Sequence, residues 1–284
     1  MIVTVASGKG GTGKTTIATN LALVSPGAQY LDCDVEEPNG HLFLRPEISE
    51  TREVTLPIPR IDEKLCNGCG LCAEACEFNA LARVGKKIMS FPDLCHGCGA
   101  CLFVCPEKAI SEEQKVIGRL EIGRAHGAGG AGEFDFAHGI SRIGNPLTPP
   151  IIKEVKKLAR KENFVVVDAP PGTSCPMVQT LIGSDFCLFV TEPTPFGLND
   201  LELAVGVARQ LEIPCGIVIN RSDSGDQRIR DYCARENIPM LLEIPFDRDL
   251  AFAYSKGEAI SQTSLEYTRK FADLHDRIVR EITP

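Results

Sequence analysis

Residues 8–15 read Gly-Lys-Gly-Gly-Thr-Gly-Lys-Thr, and no other stretch restricts the fold so tightly. The residues just before, Ile2 to Ala6, are β-branched or small, the pattern of a buried strand. Thr15–Val24 then reads as a helix. Glycines at such a junction let consecutive backbone N–H groups converge on one point, and the helix N-terminus adds a favourable dipole. The pattern G-x-x-x-x-G-K-[ST] between a strand and a helix is a phosphate cradle that opens a parallel α/β sheet. Lys14 would reach the β- and γ-phosphates of a nucleotide, and the Thr15 hydroxyl would ligate Mg²⁺. Gly8, Lys9, Gly10, Gly11, Thr12, Gly13 and Thr16 complete the expected binding loop.

The chain keeps this rhythm on either side of an interruption. Tyr30–Cys33 is a short strand ending at an acidic pair, Asp32 and Asp34. Residues 151–161 read as a helix, and the apolar run Phe164–Val167 as a buried strand ending in Asp168. Strands follow at 186–191, 215–220 and 240–244 with helices between them, and a last helix covers 264–281. Asp168 stands where a P-loop protein places its second metal-binding group, and with Thr15 it forms the expected Mg²⁺ site. Ala169-Pro170-Pro171-Gly172 makes a rigid turn able to sense a γ-phosphate. Asp34, after the second strand, is the candidate for positioning the attacking water. The expected class is α/β, a mostly parallel P-loop NTPase sheet flanked by helices.

The interruption is marked by cysteine. The chain holds 13 in 284 residues, and eight of them lie between Cys66 and Cys105. No charged segment followed by an apolar one precedes Ile2, and no apolar run reaches the ~18 residues of a membrane span. A cytoplasmic, reducing setting is therefore expected, where clustered thiols point to metal or catalysis rather than disulfides. Cys66, Cys69, Cys72 and Cys76 recur at an offset of 29 as Cys95, Cys98, Cys101 and Cys105, and Ala80-Leu81 recurs as Ala109-Ile110. The repeat suggests a small pseudo-twofold module at 61–112, inserted in an ATPase domain of 1–60 and 113–284. Zinc normally takes four ligands as two separated pairs; two runs of four at one spacing argue against it. Residues 115–124 alternate like a hairpin strand, and 126–132 read as a flexible loop. A net charge of −8 argues against nucleic-acid binding.

Lys9, two residues before Gly11 in the loop, gives the deviant Walker A signature, which resembles the MinD/ParA/Mrp and nitrogenase-iron-protein superfamily of P-loop ATPases. That resemblance implies ATP, Mg²⁺ and an ATP-dependent homodimer in which Lys9 reaches the partner subunit's nucleotide. Catalytic roles then fall to Lys9, Lys14, Asp34 and Asp168. Asp32-Cys33-Asp34 is similar to switch I of the superfamily and Asp168–Gly172 to switch II. Asn220-Arg221 resembles its adenine-contacting position, and Pro245-Phe246-Asp247 its second base-side loop.

The cysteine runs resemble a bacterial ferredoxin carrying two [4Fe–4S] clusters, a small α+β domain. In that pattern the fourth cysteine of each run ligates the other cluster. One set is then Cys66, Cys69, Cys72 and Cys105, and the other Cys95, Cys98, Cys101 and Cys76. Glu77 replaces the proline that Pro106 supplies in the second run. The separate C-x2-C of Mrp-type cluster carriers is absent, which argues against that carrier mechanism. Superfamily members can end in a membrane-binding helix. Here the apolar stripe Leu265, Phe271, Leu274, Ile278 and Ile282 carries balanced charges, so packing on the sheet is expected. The expected function is ATP hydrolysis gating electron transfer to a partner protein. The alternatives are iron–sulfur cluster assembly or delivery to a recipient protein, and a MinD/ParA-like spatial role in cell division.

Overall fold

Ile2–Ala6 (β1), Ala28–Asp32 (β2) and Phe164–Asp168 (β8) are buried at every position. Burial on both faces is the condition of a central strand in a parallel sheet. The computed structural model describes residues 1–224 and 226–283; Gly225 and Pro284, both within the expected ATPase domain, lie outside the described residues. The remaining strands are β3 (Glu47–Ile61), β4 (Leu81–Val84), β5 (Lys87–Ser90), β6 (Ile110–His126), β7 (Glu133–Ser141), β9 (Phe186–Thr191), β10 (Cys215–Asn220) and β11 (Met240–Ile244). Nine of them form one sheet in the order β11-β10-β9-β1-β8-β2-β7-β6-β3. It is parallel from β11 to β7 and antiparallel from β7 to β3.

Alternate residues face opposite layers. Val3, Val5 and Val166 pack under the helices Lys14–Val24 and Leu265–Ile282. Val165 and Val167 face the helix Pro149–Lys156. Ala6 and Phe189 face the helices Cys175–Leu181 and Pro195–Gln210. The C-terminal helix packs on the sheet as its stripe predicts, with Phe271, Leu274 and Ile278 at 0% exposure. Leu265, the first residue of the helix directly after its Ser264 cap, departs from the stripe at 78%. The expected helix at 151–161 is shorter and stops at Lys156. There Leu158 and Ala159 donate to the carbonyls three residues back, a tightening typical of a helix end.

The antiparallel flank is the main departure from the sequence reading, which predicts neither β3 nor β7. The strand read at 115–124 lies inside β6, which pairs with β3 along its length, from Glu47 opposite Arg124 to Ile61 opposite Ile110. β3 hides because it carries Pro57 and Pro59. Proline gives no N–H to a ladder and suits only a strand with one open side, and β3 is the outermost strand. β7 hides behind Gly139, where an added Cβ would come within 2.7–2.9 Å of Val35, Ile151 and Val155.

The cysteine-bearing segment sits at the free end of the β3–β6 stem. The Asp62 N–H donates to the Ala109 carbonyl at 2.8 Å, clamping its two ends. It contains two four-residue helices, Leu71–Glu74 and Ala100–Phe103, and the β4–β5 hairpin. Among the described residues no helix is long and apolar enough to cross a membrane.

Candidate nucleotide site and cysteine lobe

The phosphate loop leaves the C-terminal end of β1 and turns into the helix at Lys14, whose cap residue Gly13 is left-handed at φ 94°. Gly13 cannot be replaced without cost, because a Cβ would stand 2.6 Å from Asn220 Nδ2. That amide donates to the Thr12 carbonyl at 2.9 Å, tying the end of β10 to the loop. Gly8 is as restricted: a Cβ there would meet the Asp200 carbonyl at 2.2 Å. Gly10 has open space around it. Thr12 is buried, and its hydroxyl has no hydrogen-bond partner.

One cavity joins the loop to the expected base side. It is lined by Gly11, Gly13, Thr16, Asn220, Arg221, Pro245, Phe246 and Asp247, together with Leu250, Ala251 and Tyr254. Asp247 lines it while its carboxylate is committed elsewhere. Oδ1 accepts from the N–H groups of Asp249 and Leu250 as a helix cap, and Oδ2 accepts from the Tyr267 hydroxyl at 2.6 Å. Those bonds, the tyrosine's first, hold the acid below its ordinary range.

Behind the loop, β2 and β8 bring three acids together. Asp32 is in register with Asp168. Burial pushes both carboxyls up, and Asp32 feels Asp168 next. Asp32 is held by the N–H groups of Asp34 and Gly40, at 3.1 and 3.0 Å, so it shapes the loop that carries Asp34. Asp168 Oδ2 accepts from the Tyr30 hydroxyl at 3.0 Å. Its Oδ1 is buried without a well-aligned hydrogen bond; Lys14, then the Thr15 hydroxyl, offset its burial and favour the ion. A buried carboxyl oxygen with spare acceptor capacity next to a threonine hydroxyl suits a hard cation such as Mg²⁺. Burial first, and Asp168 next, raise Asp34 to about 6, against the pull of Lys14.

Lys9 lies apart from this centre. Its ammonium is 3.7 Å from Glu192 Oε2, and Arg221 reaches Glu192 Oε1 at 3.1 Å. Glu192, Tyr30 and Asp200 escape a sequence reading. Each acts through a neighbour brought close only by the sheet order, and none carries a local motif.

In the lobe, Gly68, Gly70, Gly97 and Gly99 all take positive φ, giving the tight turns between cysteines. One cavity is lined by Cys66, Cys69, Cys72 and Cys105, the other by Cys76, Cys95, Cys98 and Cys101. The N–H groups of Ala80 and Ala109 donate to Cys76 Sγ and Cys105 Sγ, each at 3.3 Å, one repeat apart. Burial raises the Cys72 and Cys101 thiols, with neighbouring cysteines adding to it. Among the described residues no three His, Cys, Asp or Glu side chains group as ligands of a single metal ion. Cys175 is exposed at the start of its helix, and Cys187 and Cys233 are buried.

A phosphate loop at the C-terminal end of a parallel strand, backed by a buried aspartate on the neighbouring strand, defines a P-loop nucleotide-binding protein. The family model of the CobQ/CobB/MinD/ParA nucleotide binding domain matches residues 3–260, and the chain belongs to this family. An uncharacterized protein of Methanocaldococcus jannaschii is 35% identical over 269 residues, covering 91% of each chain. The septum site-determining protein MinD of Helicobacter pylori is 22% identical over 303 residues, covering 99% of this chain and 91% of that one. Among solved structures, MinD complexed with Mg-ADP from Pyrococcus horikoshii superposes with a TM-score of 0.60 at 16% identity, covering 99% of this chain and 97% of that one. The cell division ATPase MinD of Pyrococcus furiosus gives 0.59 at 18%, covering 99% and 98%. These likenesses bear out the α/β class and the mostly parallel sheet.

Proposed function

We propose that this protein binds and hydrolyses MgATP and uses the cycle to gate electron transfer through two [4Fe–4S] clusters to a partner protein. The observation that carries the reading is the grouping of the cysteines, three from one repeat and the fourth from the other around each cavity. Crossed ligands of this kind belong to two-cluster ferredoxins. A cuboidal cluster takes its four thiolates around a volume, unlike a single ion, whose ligands meet at a point. N–H donors aimed at the sulfurs of Cys76 and Cys105 would tune the potential of a bound cluster. The clusters, when bound, supply one-electron carriers. Because each would tie both halves of the lobe together, retention is favoured over delivery.

In the nucleotide site, Lys14 takes the β- and γ-phosphates, Thr15 and Asp168 hold Mg²⁺, and Asp34 orients the water. Two copies close on ATP, with Lys9 reaching the partner subunit's nucleotide. A short route connects the halves. The Ser141 N–H, at the end of β7, donates to the Val35 carbonyl at 2.7 Å, one residue past Asp34. β7 pairs with β6, one arm of the stem. A loop ordered by γ-phosphate and relaxed on hydrolysis therefore pulls on the strand beside the cysteine lobe.

Anaerobically prepared protein should hold about eight irons per chain. MgATP, or a slowly hydrolysed analogue, should shift the potential of at least one cluster; about 59 mV is a tenfold change for one electron. Tightly bound zinc without visible charge-transfer absorbance would reject the clusters. Identical potentials in the apo, MgADP and MgATP-analogue forms would reject gating.

A further inference from the structure

Glu192 lies one residue beyond β9, outside both the phosphate loop and the base-side loop, yet it binds a cation from each. Its side chain is 13% exposed, with Lys9 Nζ at 3.7 Å and Arg221 Nη1 at 3.1 Å on different carboxylate oxygens; the arginine contact is a close ion pair without the alignment of a hydrogen bond. Arg221 sits in the left-handed region at φ 54°, a cost a non-glycine residue bears when surrounding contacts fix it.

The backbone of Glu192 is equally fixed. A Cβ at Gly197 would stand 2.2 Å from the Glu192 carbonyl. The Gly197 N–H donates to the Thr194 hydroxyl at 2.9 Å, and the Thr191 hydroxyl donates to the Gly197 carbonyl at 3.2 Å. The carboxylate is thus presented from a tight turn, not from a loose loop.

We propose that Glu192 is a latch that holds Lys9 on its own subunit until a nucleotide-bound second copy competes for it. The inference rests on the reading above, in which Lys9 acts across the dimer. The charges make the latch reversible. Lys9 is one-third exposed and its contact is long, so the pair is weak. A triphosphate carries several negative charges where Glu192 offers one. When Lys9 leaves, Arg221 remains, so release does not strand a largely buried carboxylate without a partner, which would be costly. A single acid holding two cations can surrender one of them.

The test is the ATP concentration at which the full-length protein half-dimerises, followed by sedimentation with a slowly hydrolysed analogue. Glu192→Gln keeps the shape and removes the charge. It should lower that concentration about twofold to fivefold, the range of a partly exposed ion pair, and should have no effect in a Lys9→Ala background. Glu192→Asp, which draws the carboxylate back by one methylene, must shift the midpoint in the same direction; it decides the matter if the Gln variant folds poorly. An unchanged midpoint overturns the latch. A raised midpoint also overturns it, because Glu192 would then belong to the assembled site. A Lys9→Ala chain that dimerises like the parent refutes the cross-subunit role itself, a separate failure visible without any change at Glu192.

Discussion

Asp34 carries an electrostatic cost in the nucleotide site that can be titrated. Its acid rises to about 6 from an ordinary 3.8, through burial first and the nearby Asp168 second. At 1.36 kcal/mol per pH unit, that difference is worth about 3 kcal/mol; partial exposure reduces it to about 2 kcal/mol. The sign follows from linkage. Below the unfolded value both states hold the proton and no cost exists. As pH rises through the folded value the native state must ionise a buried acid, so its stability falls between about pH 4 and 6. Asp34→Asn removes the charge and the cost together. The nucleotide-free variant should melt about 5 °C higher than the parent at pH 7, and that advantage should shrink to about half at pH 5. The same variant should bind ATP and hydrolyse it poorly. Thermal melts at the two pH values, paired with phosphate release, check both halves. An advantage that does not change with pH, or a variant less stable than the parent at pH 7, would refute the reasoning.

Two further outcomes follow from the geometry. Lys14→Ala should abolish phosphate release, since no other cation is buried in the loop, and loss of a transition-state contact of this kind commonly costs about 3–4 kcal/mol; release at the parent rate sinks the assignment. Gly139→Ala should destabilise the chain by about 1–3 kcal/mol, because its methyl must enter the contact with Val35, Ile151 and Val155; a denaturant midpoint equal to the parent's would show that this packing gives way freely.

What could be read from the sequence divides along a physical line. Local patterns survived: β1 is β-branched or small throughout and β8 is an apolar run closed by Asp168, and the loop glycines carry conformational requirements that hold in any surroundings. The strands at 186–191, 215–220 and 240–244 fall where their apolar runs put them. What failed was decided by neighbours. β3 is a strand because β6 pairs with it, despite two prolines and a run of charged residues. Tyr30 looks like one more apolar strand position, and only the β2–β8 register gives its hydroxyl an aspartate. Sequence places Asp247 in a base-side loop, but its carboxylate oxygens are engaged by a helix start and a tyrosine from the last helix.

The clamp between Asp62 and Ala109 has a consequence for how such a chain is assembled. To the body, the 2.8 Å closure makes everything beyond it equivalent to a turn joining β3 to β6. Loop-closure entropy grows only slowly with length, so a long excursion at that point burdens the hairpin little more than a short one. To the lobe, the same closure is a staple. A segment of this size lacks the core to stand alone and needs cross-links; it receives one at its base from the hairpin and, with metal bound, two inside. Host and guest thus meet at a junction that leaves each one's fold largely independent of the other's length. A small lobe could be added to or lost from this position without redesigning the sheet that carries it.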